Sequence, residues 1–277
     1  MGLRINTNVS SLAAQRTLSV NNKDKAETLS KLSSGSRIVK AGDDAAGLAI
    51  SEKLRSQIRS LGQAKRNAGD GISLIQTAEG GLNEISNILI RLRELSIQSA
   101  SDTVGTPERK FTDLEYQNLK QEIQRISEVT EFNGKKLLNG SGDFYDFQIG
   151  INNDAFQDRI SYDAGNTNAT LESLDINSLQ VQTKEGSQES LAFLDNAIEK
   201  ISGQRSNLGA IQNRLSSTIQ NLEVGTENLS SANSRIRDAD YAAQTAKSTK
   251  LDILTNAGSS VLSQANSSGQ LALKLIG

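Results

Sequence analysis

The chain contains no cysteine and no histidine, and those two gaps remove most catalytic chemistry at the outset. Without them there is no disulfide framework, no thiolate zinc site, and neither a Ser-His-Asp nor a Cys-His arrangement. Tryptophan is also absent, aromatic residues make up 4% of the chain, and Pro107 is its single proline. A globular core usually leans on large aromatic side chains. A helical bundle instead fills its seam with Leu, Ile, Val and Ala and keeps proline out of its interior. Net charge is small as well, with 30 Lys and Arg against 32 Asp and Glu over 277 residues. That balance points neither to nucleic acid nor to an anionic membrane as the main partner. No stretch approaches the roughly 20 apolar residues of a membrane span. The first residues, Met1-Gly2-Leu3-Arg4-Ile5-Asn6-Thr7-Asn8, lack the apolar run of a secretory signal. Composition alone therefore places the chain in the cytoplasm. A phosphate-binding Gly-x4-Gly-Lys-Ser/Thr loop is missing too, and the chain is expected not to be an enzyme, with no metal and no cofactor.

What is present is periodicity. Positions 191, 194, 198, 201, 205, 208, 212, 215, 219, 222, 226, 229, 233 and 236 keep strict 3,4 spacing, and ten of the fourteen are Leu or Ile. A narrow face that repeats every 3.5 residues is a coiled-coil seam. A second seam runs through Leu54, Ile58, Leu61, Ala68, Ile72, Ile75 and Leu82, slips near Gly80-Gly81, and resumes at Ile85, Leu89 and Leu92. Thr106-Pro107-Glu108 predicts the start of a third helix, a cap followed by Pro at the first helical position. Its apolar face would include Leu114, Leu119, Ile123, Ile126 and Val129. The short loop 101–105 would leave the second and third helices antiparallel.

The character changes between Asn133-Gly134 and about Gly186. Phe144–Ile149 and Arg159–Tyr162 alternate with period two, and turn residues break them up, which predicts one or two β-hairpins. Asp43-Asp44 lies just before a helical seam, where carboxylates complement a helix N-terminus. The two ends resemble each other in kind. Residues 1–40 carry few large apolar residues (Ile5, Val9, Leu12, Leu18, Val20, Leu29, Leu32, Ile38), and residues 251–275 offer a seam at Leu251, Leu254, Val261, Ala265, Ala272 and Leu275. Neither end holds enough apolar surface to offset its ordering entropy alone. Paired with each other and with neighbouring copies, they could.

Four segments carry a resemblance to a known family. Leu29-Ser30-Lys31-Leu32-Ser33-Ser34-Gly35-Ser36-Arg37-Ile38, with Gly42-Asp43-Asp44-Ala45-Ala46-Gly47-Leu48-Ala49-Ile50, resembles the N-terminal signature of bacterial flagellins. Ser234-Arg235-Ile236-Arg237-Asp238-Ala239-Asp240-Tyr241-Ala242 resembles their C-terminal signature. Leu92–Ala100 and Glu131–Leu138 are similar to two further flagellin segments.

The resemblance implies a mainly α, hairpin-shaped subunit of long coiled-coil helices with a small β-hairpin region and paired N- and C-terminal helices. Residues 1–42 plus 237–277 would form the terminal, inner-tube domain. Residues 43–236 would form a helical-bundle domain with a β-rich insert at about 134–186. It further implies a subunit that polymerises into the extracellular flagellar filament of bacterial motility, leaving the cell through the type III export apparatus without a cleaved signal. Implied partners are other copies of the chain, the filament cap, hook–filament junction proteins, an export chaperone, and the Toll-like receptor that senses flagellin; no nucleic acid and no membrane. Matching segment to segment, the receptor contact falls on Arg91, Leu95 and Glu122. Arg91 and Leu95 are i and i+4 and so share a helix face. The plain alternative for Arg91 and Glu122 is an exposed ion pair between helices. For the whole chain the rivals are a hook–filament junction protein, which usually carries Pro around the paired Asp residues, and a secreted coiled-coil adhesin.

Overall fold

The computed structural model describes residues 7–142 and 144–274. Among them the chain is mainly helical. The order is α1 (Val9–Ser34), α2 (Ala45–Ala100), α3 (Thr106–Val129), β1 (Glu131–Phe132), β2 (Lys135–Lys136), β3 (Phe144–Gln148), β4 (Arg159–Asp163), α4 (Lys184–Arg237) and α5 (Tyr241–Lys274). Two compact units emerge, Ile58–Glu227 on its own and Met1–Gln57 together with Asn228–Gly277. The boundaries fall inside α2 and α4.

In the unit Ile58–Glu227, one stripe of α2 is buried without interruption at 64, 68, 71, 75, 78, 82, 85, 89, 92, 96 and 99. The expected slip near Gly80-Gly81 does not occur; the seven-residue repeat runs straight through. Gly71 and Ala78 hold seam positions that a search for large apolar residues passes over. Gly71 has a steric reason. A Cβ there would lie 3.1 Å from the Phe147 ring and 3.3 Å from Leu215, so the missing side chain lets the hairpin and α4 close on α2. On α4, all fourteen heptad positions are buried or half-buried. Leu194, Ile201, Leu208 and Leu215 are the fully buried apolar ones, each stabilising by about 1.5–3 kcal/mol before entropy is counted.

α3 begins one residue earlier than expected, with Gly105 at the cap and Pro107 in its first turn. Its inner face also differs. Leu114 and Val129 are exposed, and the buried stripe is Asp113, Tyr116, Lys120, Ile123 and Ser127. Asp113 and Lys120 are there because α3 packs on segment 177–182, which has no strand partner for its backbone. Lys120 Nζ donates to the carbonyls of Asn177 (2.7 Å) and Leu179 (2.9 Å). Asp113 accepts from Val181 N (3.0 Å) and Gln182 Nε2 (2.8 Å). Buried peptide groups require such partners. Burial pushes the Lys120 ammonium pKa down, and Asp113 opposes the shift.

The predicted hairpin is β3 paired with β4, in antiparallel register from Phe144↔Asp163 to Gln148↔Arg159. Tyr145 and Tyr162 stack at 6.1 Å. Ahead of it, β1 and β2 join through Asn133-Gly134, both at positive φ (50° and 76°), as a two-residue hairpin turn demands. Among the described residues no helix is long and apolar enough to cross a membrane.

Candidate assembly surface

Within the unit formed by the two ends of the chain, α1 and α5 lie antiparallel. Asn8 caps α1 by accepting from Ser11 N (3.1 Å), and it donates Nδ2 to Ala265 O (2.8 Å). Ser11 Oγ meets Asn266 Oδ1 (2.8 Å), and Lys25 pairs with Asp252 (2.5 Å). Halfway along, Leu18 lies against Gly258. The covered side of α1 runs Ser11, Ala14, Leu18, Asn21, Lys25, Thr28 and Leu32 at strict 3,4 spacing. That of α5 runs Gln244, Ser248, Leu251, Thr255, Gly258, Leu262 and Ala265. This seam is built largely of small and polar residues.

Apart from Leu18, Leu32, Leu251 and Leu262, the large aliphatic side chains are elsewhere. Val9 (63% exposed), Leu12, Val20 and Leu29 on α1 are exposed, as are Ile253, Leu254 and Val261 (59%) on α5. Two of the seam positions expected from the sequence, Leu254 and Val261, are thus corrected to the outer surface. Leu251 and Ala265 keep their places, with Thr255 and Leu262 in the seam instead. The reason is angular. Two 3,4 registers pass through Leu251, Gly258 and Ala265, and the one turned toward α1 continues through Thr255 and Leu262, which leaves Leu254 and Val261 on the outer side. Ile5 and Leu275 lie outside the described residues, as does the side chain of Ala272. A helical wheel of α1 would have revealed the outer face, since Val9, Leu12 and Val20 cluster on the side away from Ser11, Leu18 and Lys25.

The two terminal signatures meet in a knuckle at the base of this pair. Gly35, at φ 65°, ends α1 in the left-handed conformation. Ser36 then bridges Asp238, and Ala239 N donates to Gly35 O (2.9 Å). The Arg37 guanidinium donates to Ile236 O at the C-terminal end of α4 (2.7 and 3.1 Å), a place that favours a cation. Arg237 in turn pairs with Glu52 (2.5 Å). That hydrogen bond, ahead of the charge attraction, holds the Glu52 carboxyl below its ordinary pKa. The expected role at the helix N-terminus falls to Asp44 alone, and Asp43 instead holds the turn that precedes it. Asp44 caps α2 by accepting from Gly47 N (2.8 Å). Asp43 accepts from Val39 N and Lys40 N (both 3.0 Å), and those backbone donors pull its pKa down.

In the unit Ile58–Glu227, the three residues singled out for receptor contact are not brought together. Arg91 is exposed and bonds Glu115 of α3 (2.9 Å) and Glu94 (3.0 Å); the Glu115 bond leads in raising its pKa. Leu95 is 2% exposed and belongs to the core. Glu122 pairs with Arg125 one turn along its own helix (2.5 Å), which lowers its pKa. With Glu115 opposite Arg91, Glu122 lies seven residues farther along α3, about 10 Å. The ion pair between helices therefore exists, but with Glu115.

Comparison with known proteins accords with these features. Residues 5–143 match the family described as bacterial flagellin N-terminal helical region, and residues 191–276 match the bacterial flagellin C-terminal helical region. Flagellin of Halalkalibacterium halodurans is 43% identical over 274 residues, covering 98% of this chain and 99% of that protein. The flagellar filament 33 kDa core protein of Treponema phagedenis is 42% identical, again over 98% and 99%. The crystal structure of Bacillus cereus flagellin, at 32% identity, covers 57% of this chain and 88% of its own with a TM-score of 0.51. A putative flagellar hook-associated protein of Vibrio parahaemolyticus, 13% identical with a TM-score of 0.60 over 71% of this chain, shares the fold alone. With matched segments spanning most of its length and relatives aligned end to end, this chain belongs to the bacterial flagellin family.

Proposed function

We propose that the chain is a structural subunit that polymerises, through its paired ends, into the extracellular filament of a bacterial flagellum. The observation that carries this is the outward placement of Val9, Leu12, Val20, Ile253, Leu254 and Val261 around a seam of small and polar residues. An apolar face of that extent is a docking surface, and two helices that spend their aliphatic residues outward need further copies to bury them. The test is to raise purified chain with ammonium sulfate and view it by electron microscopy. Filaments of uniform width support the reading, whereas soluble oligomers favour the adhesin alternative. A chain cut to residues 43–236, which lacks the proposed terminal domain of residues 1–42 plus 237–277, should stay unpolymerised.

From the family we infer a role without catalysis, export through the flagellar type III apparatus with a chaperone, and filament ends occupied by cap and junction proteins. Binding to the flagellin-sensing Toll-like receptor is proposed as well. Arg91 supplies the exposed part of that contact and Glu122 an outlying part, with Leu95 supporting the face from beneath. Reporter-cell titration of monomer decides it. Arg91→Ala should lower potency about tenfold or more, as truncating an interface Arg does, and equal potency would remove Arg91 from the contact.

A further inference from the structure

The chain holds two Asn-Gly pairs, Asn133-Gly134 and Asn139-Gly140. An Asn followed by Gly is chemically labile, because no Cβ keeps the glycine nitrogen away from the asparagine side-chain carbonyl carbon. The second pair is set up for that attack. Asn139 Oδ1 accepts from Ser141 N (3.1 Å) and from Ser141 Oγ (2.8 Å). This Asx turn puts two donors on the oxygen where negative charge develops when the carboxamide carbon is attacked. Gly140 N, the nucleophile, meets no acceptor among the described residues. The fold also holds residue 140 to glycine, since its φ is 76° and a Cβ there would collide with the Asn168 carboxamide.

Two neighbouring asparagines each have half of this arrangement. Asn133 precedes a glycine, but no donor reaches its side-chain oxygen among the described residues. It also sits at φ 50° in a tight turn with β1 and β2 paired on either side, which resists the backbone rotation that ring closure needs. Asn168 Oδ1 accepts from Thr170 N (3.0 Å) and Thr170 Oγ1 (2.9 Å). Its nucleophile is nevertheless tied up, because Ala169 N donates to Leu138 O (2.9 Å). We infer that Asn139 is a site of spontaneous deamidation. Hydroxide removes the Gly140 N–H proton, and the nitrogen attacks Cγ of Asn139 to close a succinimide. The Cγ–Nδ2 bond breaks, and Nδ2 leaves as ammonia. Water then opens the ring at Cγ to give aspartate, or at the main-chain carbonyl carbon to give isoaspartate. No bond is oxidised or reduced, and the sum is one water consumed for one ammonia released. Leu138, just before the site, is fully buried, so isoaspartate would lengthen the main chain by a carbon next to a core anchor. The conversion needs no enzyme, and its extent records the age of the molecule. The inference is independent of the subunit reading.

The test is to incubate purified full-length chain in mildly alkaline buffer, native and in guanidinium chloride, and to weigh its peptides at intervals. An isoaspartate-specific methyltransferase then labels the rearranged product. In the folded chain, amide-to-acid conversion should be fastest at Asn139, slower at Asn133 and slowest at Asn168. In denaturant the two Asn-Gly sites should converge, because the donors and the turn are gone. Ser141→Ala, at an exposed side chain with folding checked by circular dichroism, should slow conversion at Asn139 about tenfold, less than a donor is worth in a dry active site. The same variant should leave Asn133 unaffected. Conversion at Asn133 as fast as at Asn139 in the folded chain, none at Asn139, or an unchanged rate in Ser141→Ala would each overturn the inference.

Discussion

Between residues 58 and 227 the large aliphatic side chains point inward. Ile75, Leu82, Ile85, Leu89 and Leu92 of α2 meet Leu194, Ile201, Leu208 and Leu215 of α4 in one core with the hairpin. In the unit made by the two ends most of the same residue types point outward, and among the described residues only Ile38 and Leu251 are fully buried apolar side chains there. The helices are equally regular in both places, so helicity is not what separates them. One region satisfies its apolar surface by itself, and the other leaves much of it exposed. The lesson is that a 3,4 pattern of buried positions can be a core or only a scaffold, depending on which residues fill it.

A pair of substitutions should break this comparison most sharply. Leu215→Asp would place an unpaired carboxylate in the bundle core and should lower the unfolding free energy of the monomer by about 3–5 kcal/mol. Val261→Asp, at an exposed site, should shift monomer stability by less than about 0.5 kcal/mol and yet stop polymerisation. Urea unfolding and a sedimentation assay read the two effects separately. Equal destabilisation by both would mean that the ends have a core of their own.

A smaller effect is expected at the clasp on segment 177–182. Lys120→Met keeps the stem but strips the donors from the carbonyls of Asn177 and Leu179, and should cost about 1–3 kcal/mol in urea unfolding. Glu122→Gln, a few residues away but exposed, should cost little.

The smallest effect concerns pH in the knuckle. Glu52 is held below its ordinary value of 4.5 by Arg237. Its contribution is therefore present above that value and is lost as pH falls through the lower folded pKa. Acidification should loosen the link between the ends, seen as faster amide exchange at Ser36 and Ala239, and Glu52→Gln should remove part of that pH dependence. An unchanged acid response in the variant would assign the dependence to other carboxylates.

Much of the bundle was legible because it rests on large residues at fixed spacing. All fourteen positions of the α4 seam are covered, and β3 and β4 fall where alternation placed them. The misreadings have one physical root, which is that residue size was taken as the sign of burial. Gly71 and Ala78 are buried because neighbours come close, and the apparent slip in α2 vanishes once they are counted. Asp113 and Lys120 are buried because segment 177–182 brings peptide groups that need polar partners. Leu254 and Val261 are exposed because the seam with α1 follows Thr255 and Leu262, and residue size does not tell which of two 3,4 registers packs. The motif located Arg91, but only the packing of α3 on α2 decides that Glu115 stands opposite it and that Leu95 faces the core.

The proposed assembly makes the ends of the chain depend on other copies and leaves the bundle independent of them, and amide hydrogen exchange tests that dependence most directly. In the monomer, residues 9–34 and 241–267 should exchange fast and residues 64–99 slowly, because few buried contacts oppose local opening at the ends. In assembled filaments the ends should slow to match the bundle. Protection of the ends that is already high in the monomer and unchanged on assembly would contradict the account.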